Sequence, residues 1–332
     1  LYSAGFLAWR QGDAANARPL LEESVSLGRN LGDRRVLGYA LFYLGLVPQF
    51  QGDYPTARRH FDESQASFEA TGDEDGLALA LFSLGNLARQ EGDAANARTL
   101  LERSLALFGK VGDRRSLALP LGYLGRVALS QGDHALARAR LEEALAIWRE
   151  IGETWLIAAG LTSLAEVARW QGDQQQAQSL LTQSLDLWRE LGSAGTQAQG
   201  ALHQLGHVAL GLGDARRAET LFRESLTLAH EQGNKRHVAE CLAGLADVAA
   251  ADEQAERAAR FFGAAEALRR DVGAALSPAD RIDHQRGLAL ARAALGERAF
   301  QALSAAGAAA PIAEIIDDAL RGDQLALSHS KS

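Results

Sequence analysis

Apolar residues recur along this chain in two alternating stripes. In one, Leu41, Leu44, Gly45 and Pro48 fall at i, i+3, i+4 and i+7, and the sets Leu81, Leu84, Gly85, Ala88 and Leu121, Leu124, Gly125, Ala128 repeat it. That spacing puts each set on one face of an α-helix. In the other stripe a small residue (Ala57, Ala97, Ala137, Ala177, Ala218, Ala258) is followed four positions on by a large one (Phe61, Leu101, Leu141, Leu181, Phe222, Phe262). The small residue lets a neighbouring helix approach, and the large one fills the space beside it. The polar punctuation has its own period. Gly12, Gly52, Gly92, Gly132 and Gly172 are forty residues apart, Gly213 follows after forty-one, and Glu253 stands where the next glycine would be. A second series, Gly32, Gly72, Gly112, Gly152, Gly192, Gly233 and Gly273, keeps the same step and the same insertion. Two turns per forty residues predict two helices per repeat.

The turn chemistry agrees. Glycine enters the left-handed conformation that ends a helix, and the next residue caps the following one. Asp13, Asp53, Asp93, Asp133, Asp173 and Asp214 are placed to cap the second helix of each pair, and Asp33, Asp73, Asp113, Ser193 and Asn234 the first. Each helix is about eighteen residues, roughly 27 Å at 1.5 Å per residue, long enough to need burial along a whole face.

Leu-Gly in the first helix, then Gly-Asp, Ala, a large apolar residue and a small residue such as Ser64 or Ala144, resembles the tetratricopeptide pattern from Leu1 to about Val272. The resemblance implies an all-α, right-handed superhelical solenoid of antiparallel helix pairs, with about seven repeats, the first truncated, and a helical C-terminal cap. The forty-residue period exceeds the family's usual thirty-four and the closing proline is missing, which resembles the long-helix variant of signalling scaffolds. After Gly273 the pattern changes. Ser277-Pro278-Ala279-Asp280 reads as a helix start, with a helix to about Ala294, and Gly296, Gly307 and Pro311 then divide off two shorter helices ending near Leu320. The expected organisation is a repeat array over 1–272, a helical capping segment over 273–320 and a flexible tail over 321–332.

The segments Ala258–Arg269 and Ala291–Phe300 are similar to the C-terminal end of large bacterial signal-transducing ATPases of the STAND type and of multidomain transcription regulators. In those proteins a nucleotide-binding switch precedes such repeats. The resemblance implies a ligand- or protein-sensing arm whose groove relays binding to that switch. The alternative is a stand-alone scaffold or adaptor for a peptide or protein.

Charge and composition narrow the partners. With 34 basic and 42 acidic residues the net charge is −8, so a phosphate backbone is repelled and direct nucleic-acid binding is not expected. No run of 18 or more apolar residues and no signal-peptide pattern is present, so the expectation is a cytoplasmic protein with no membrane partner, monomeric as an isolated fragment. The chain has no methionine, and Leu1 is read as a processed end or as a cut within a longer protein. The single cysteine, Cys241, excludes an internal disulfide framework and reads as a small core residue at a helix seam. No phosphate-binding loop, dinucleotide fingerprint or His-Glu-x-x-His motif occurs. Neither a cofactor nor an enzymatic activity is expected.

The tetratricopeptide resemblance implies a concave groove lined by first-helix positions −5, −2, +2, +5 and +6 from the Leu of Leu-Gly. These are Tyr2, Phe6, Trp9 and Arg10; Tyr39, Phe42, Leu46, Gln49 and Phe50; Leu79, Phe82, Asn86, Arg89 and Gln90; Arg126; Thr162, Glu166, Arg169 and Trp170; His203 and His207; and Glu240 and Asp247. The aromatic rings suit a peptide or apolar inducer, or pack between neighbouring first helices. Arg89, Arg126 and Arg169 belong to consecutive repeats and suit a carboxylate or phosphate, or each pairs with a nearby acid, as Arg169 could with Glu166. His203 and His207, four apart, offer two imidazoles. With Glu166 and Asp247 at the matching position of adjacent repeats they are expected to hold no metal, and zinc to leave the melting temperature unchanged.

Overall fold

The structure, a computed structural model, describes residues 1–10, 14–50, 53–112, 114–192, 198–273 and 278–321. Within these it is all-helical. The tail over 322–332, the caps Asp13, Asp113, Ser193 and Ser277, and the side chains of Trp9, Arg10 and Phe50 lie outside the described set.

Two compact units divide the chain, Leu1–Gly152 and Glu153–Ser332. The first contains α1 (Tyr2–Arg10), α2 (Ala14–Leu31), α3 (Arg34–Phe50), α4 (Tyr54–Thr71), α5 (Glu74–Gln90), α6 (Ala94–Val111), α7 (Arg114–Ser130) and α8 (His134–Ile151). Each helix packs on the next, and α1, α3, α5 and α7 also touch in series, so the first helices of the pairs share one face. The second unit contains α9 (Thr154–Trp170), α10 (Gln174–Glu190), α11 (Ala198–Gly211), α12 (Ala215–Glu231), α13 (Lys235–Ala251) and α14 (Ala255–Asp271). Here α9, α11 and α13 form the corresponding row. Three further helices follow, α15 (Pro278–Leu295), α16 (Glu297–Ala309) and α17 (Ile312–Arg321).

The periodic residues do what their chemistry requires. The side chains of Asp53, Asp73, Asp93, Asp133, Asp173, Asp214 and Asn234 each accept from the amide three residues on, satisfying donors a helix start would otherwise expose. The described turn glycines, Gly32 and then Gly72 to Gly273, have φ between 63° and 84°. Between paired helices the Leu-Gly glycine is a contact surface. A Cβ on Gly45, Gly85, Gly125 or Gly206 would come within 2.6–2.8 Å of Phe61, Leu101, Leu141 or Phe222. A serine three residues beyond that large side chain then ties the pair. Ser64 donates to the Gly38 carbonyl at 2.8 Å, Ser104 to Ala78 at 2.7 Å, Ser184 to Ala158 at 2.8 Å and Ser225 to Gln199 at 2.8 Å.

Glu253, the substitute in the glycine series, has φ 61°, a conformation that crowds a Cβ against the following carbonyl. Glu253→Gly is expected to stabilise the chain by about 1 kcal/mol, read as a higher denaturant midpoint. An unchanged or lower midpoint would show that this turn is not under strain.

The last helices close against α14 by direct backbone contact. A Cβ on Gly263 would lie 1.9 Å from the Ser304 carbonyl oxygen, and one on Gly307 would lie 2.0 Å from that of Arg260. Gly307 therefore does not separate two helices, as its sequence suggests. It lies inside α16 because the crossing with α14 leaves no room for a side chain, and the break falls at Ala310–Pro311, where Ala310 turns extended (φ −68°, ψ 146°). Among the described residues no single helix is long and apolar enough to cross a membrane.

Candidate functional site

In the first unit the row α1, α3, α5, α7 carries a run of rings. Tyr2 stacks on Tyr39 at 5.8 Å and on Tyr43 at 6.1 Å, and Phe6 stacks on Tyr43 at 4.4 Å. Phe42, expected in the groove, is buried and packs on Phe61 at 6.0 Å, so it serves the core. Tyr39 is half-buried and meets Phe68 edge-on at 4.8 Å; burial and the nearby Asp73 carboxylate push its hydroxyl up to about 12. Gln49, Phe82 and Asn86 are half-buried and Gln90 is exposed.

Two guanidinium groups meet over one ring further along. Arg89 lies 5.5 Å and Arg126 5.8 Å from the centroid of Tyr123, which Phe82 meets edge-on at 5.1 Å. Arg89 donates to Asn86 Oδ1 at 3.0 Å, while its buried Nε has no partner. Burial first, and the like charge of Arg126 second, bring the Arg89 guanidinium down to about 10. Among the described residues neither arginine has a carboxylate within ion-pair distance. The cluster is therefore short of an anion, while the aromatic face stabilises the cations only in part.

In the second unit the equivalent face is covered. Helix α15 packs against α13 and α9, and its first two turns carry two acids, Asp280 and Asp283, into the row. Arg169, whose side chain is 5% exposed, donates to Asp280 Oδ1 at 3.0 Å and to Asp283 Oδ2 at 3.3 Å. His207 places Nδ1 3.1 Å from Asp283 Oδ2 and Nε2 3.4 Å from Asp280 Oδ1, and His203 places Nε2 3.5 Å from Asp280 Oδ2. Burial works against the Asp280 carboxyl, but His207, His203 and Arg169 around it hold it well below the usual carboxylate range. Burial pushes the His207 imidazole down. His203 and His207 are thus buried beneath α15. Glu166 and Trp170 are half-buried on α9. Asp247 on α13 is also buried; burial, with Asp283 and Asp280 adding to it, raises its carboxyl well above the ordinary range. Neither of its oxygens has a hydrogen-bond partner, and a Cβ on Gly287 of α15 would come within 2.2 Å of Asp247 Oδ1.

Behind this layer lies a second buried group. His237 places Nδ1 2.8 Å from Glu240 Oε2 and Nε2 2.9 Å from Ser225 Oγ and 3.2 Å from the Gln199 carbonyl, while Cys241 donates to Ser225 Oγ at 3.2 Å. Two triads of donor side chains bring their ligand atoms within 4.8 Å of one another: His203, His207 and Asp280, and His203, His237 and Cys241. Sequence reasoning passed over Asp280, Asp283 and His237. The first two lie beyond the repeats, whereas His237 and Cys241, four apart on one helix, were open to being paired.

The tetratricopeptide repeat family model matches residues 1–70, 39–110, 76–150 and 116–190. A second model, that of anaphase-promoting complex subunit 5, matches residues 166–251. No curated protein sequence is significantly similar. Among solved structures, BtubC (BKLC) from P. vanneervenii is 18% identical with a TM-score of 0.55, over 65% of this chain and 90% of that one. A Rap protein complexed with competence and sporulation factor is 16% identical with a TM-score of 0.56, over 78% and 76%. The Rap conjugation gene regulator of plasmid pLS20, in complex with the Phr* peptide, is 13% identical with a TM-score of 0.55, over 84% and 78%. At these identities the likeness is one of fold. The overlapping family matches cover residues 1–190, more than half of the sequence, and the same caps and helix pairs continue to α14: the chain belongs to the tetratricopeptide repeat family.

Proposed function

We propose that this chain is an interaction domain that binds a peptide or protein segment on the first-helix face of its first unit. The observation that carries the reading is the pair Arg89 and Arg126 on one tyrosine ring, with no carboxylate among the described residues to compensate them. A partner carboxylate would supply the missing charge by charge-assisted hydrogen bonds, and the half-buried Tyr2, Tyr39 and Phe82 offer area to an apolar or aromatic side chain beside it. Two structural neighbours of the same fold, one in complex with the Phr* peptide and one with competence and sporulation factor, are in keeping with this. In the second unit the corresponding face is covered by α15, whereas among the described residues no such helix packs on the row of the first unit.

The sensing role within a larger STAND-type regulator is a second reading. It rests on the similarity of Ala258–Arg269 and Ala291–Phe300 to the C-terminal end of such proteins, and in it occupation of the groove favours one state of an upstream switch. The stand-alone adaptor needs no switch and accounts for the same face equally well. Both readings are of a cytoplasmic protein.

A phage-displayed library of random twelve-residue peptides panned on the whole chain tests the binding reading. The expected enrichment is for sequences joining an acidic residue or a free C-terminal carboxylate to an aromatic one. The Arg89→Ala, Arg126→Ala double variant, with unchanged helical circular dichroism, is expected to bind the best of them about tenfold more weakly, or about 1.4 kcal/mol. Enriched peptides that bind the double variant equally well would remove the anion from the proposal.

A further inference from the structure

We infer that His203, His237 and Cys241 form a binding site for one zinc(II) ion inside the second unit. The donors come from two neighbouring first helices. His237 and Cys241, one turn apart on α13, project to the same side, and His203 of α11 faces them. All three ligand atoms lie within 4.8 Å of one another, close enough for a modest side-chain adjustment to bring them to the 2.0–2.3 Å bond lengths a zinc ion takes from nitrogen and sulfur. All three side chains are buried, Cys241 completely.

Two further observations favour a metal over a simple polar contact. Neither ring nitrogen of His203 makes a hydrogen bond, although a buried imidazole left so is costly; its Nε2 lies 3.5 Å from Asp280 Oδ2 and its Nδ1 has no partner at all. Each histidine has a carboxylate on its outer side, Glu240 at 2.8 Å from His237 Nδ1 and Asp280 beside His203, the arrangement by which metal-bound imidazoles are oriented and made more basic. A thiolate with two imidazoles selects a borderline-soft cation such as zinc over magnesium or calcium. Phe222, 5.4 Å from the His203 ring, closes the apolar side. The second triad, His203, His207 and Asp280, shares His203 but has no sulfur, and Arg169 already engages its carboxylate. The ion would displace the thiol proton that Cys241 otherwise donates to Ser225 Oγ, as well as those on His203 and His237 Nε2. Ser225, which donates to the Gln199 carbonyl, would keep its partner.

The test is made on the whole chain freed of metal by a chelator and dialysed. Zinc chloride, which the sequence alone led us to expect would leave the melting temperature unchanged, is on this assignment expected to bind at one equivalent and raise it by about 5–10 °C at saturating metal. Cobalt(II) in its place is expected to give a near-ultraviolet sulfur-to-metal charge-transfer band. Cys241→Ser should abolish the band and the melting shift while keeping its helical circular dichroism. His237→Gln, which retains a polar group, should weaken binding at least tenfold. A chain that takes up no zinc at one equivalent would overturn the assignment. So would cobalt bound without the sulfur band, which would place the ion on His203, His207 and Asp280, or a Cys241→Ser chain with an unaltered melting shift.

Discussion

Arg169→Met is expected to destabilise the second unit by about 3 kcal/mol, because it leaves the buried Asp280 opposite a hydrocarbon and takes from the half-buried Asp283 one of its two guanidinium partners, Arg286 being the other. Both acids lie on α15 and accept from the same guanidinium at 3.0 and 3.3 Å. The loss should therefore appear first as undocking of α15. Hydrogen exchange should speed up in α15 and in the α13 amides beneath it, while α3 and α5 of the first unit keep their protection. The triple variant Arg169→Met, Asp280→Asn, Asp283→Asn is expected to recover most of the stability, since replacing every charged member of a buried group is far less costly than orphaning one. A single variant that melts like the parent would mean that the cluster is hydrated enough to do without its cation.

Adding one methyl group to the α14–α16 crossing should have a comparable effect. Gly263→Ala and Gly307→Ala each set a Cβ within 2.0 Å of a backbone carbonyl oxygen on the facing helix. Backbone cannot rotate away as a side chain does, so the two helices must separate, at a cost of about 3 kcal/mol, the upper end for overpacking. Gly109 in α6 is the control. It has nothing within 4 Å of its Cβ position, and Gly109→Ala is expected to stabilise by about 0.5–1 kcal/mol through helix propensity. The same chemical change should thus have opposite signs at the two kinds of site, in chemical denaturation followed by circular dichroism. Equal effects at Gly263 and Gly109 would show that the crossing is looser than its geometry.

The repeats were legible because their information is local. A glycine in the left-handed turn, the aspartate after it and the Ala-x3-Phe or Ala-x3-Leu step act within a few residues, and recurrence at forty makes each one confirm the others. The odd position at Glu253 was visible as a gap in the glycine series, and its left-handed φ of 61° came only with the structure. What happens after Gly273 was legible only as helix starts and stops. The bond from Arg169 to Asp280 spans 111 residues of sequence and joins a periodic element to a non-periodic one, so neither spacing nor stripe announces it. For that reason His203 and His207 could be placed on a first helix, yet not beneath α15. Phe42 shows the same limit on a smaller scale. A groove position and a seam position differ by a fraction of a helical turn, and only the packing of Phe61 decides between them.

Covering the second unit's face with a helix of the same chain has a consequence for competition at equilibrium. A covalently tethered occupant acts at an effective concentration in the millimolar range, whatever the dilution of the protein. A free competitor at micromolar level must therefore bind that face about a thousandfold more tightly than α15 does merely to share it. Evolution could open or close the face without touching a single contact residue, by altering only the length of chain that joins α14 to α15.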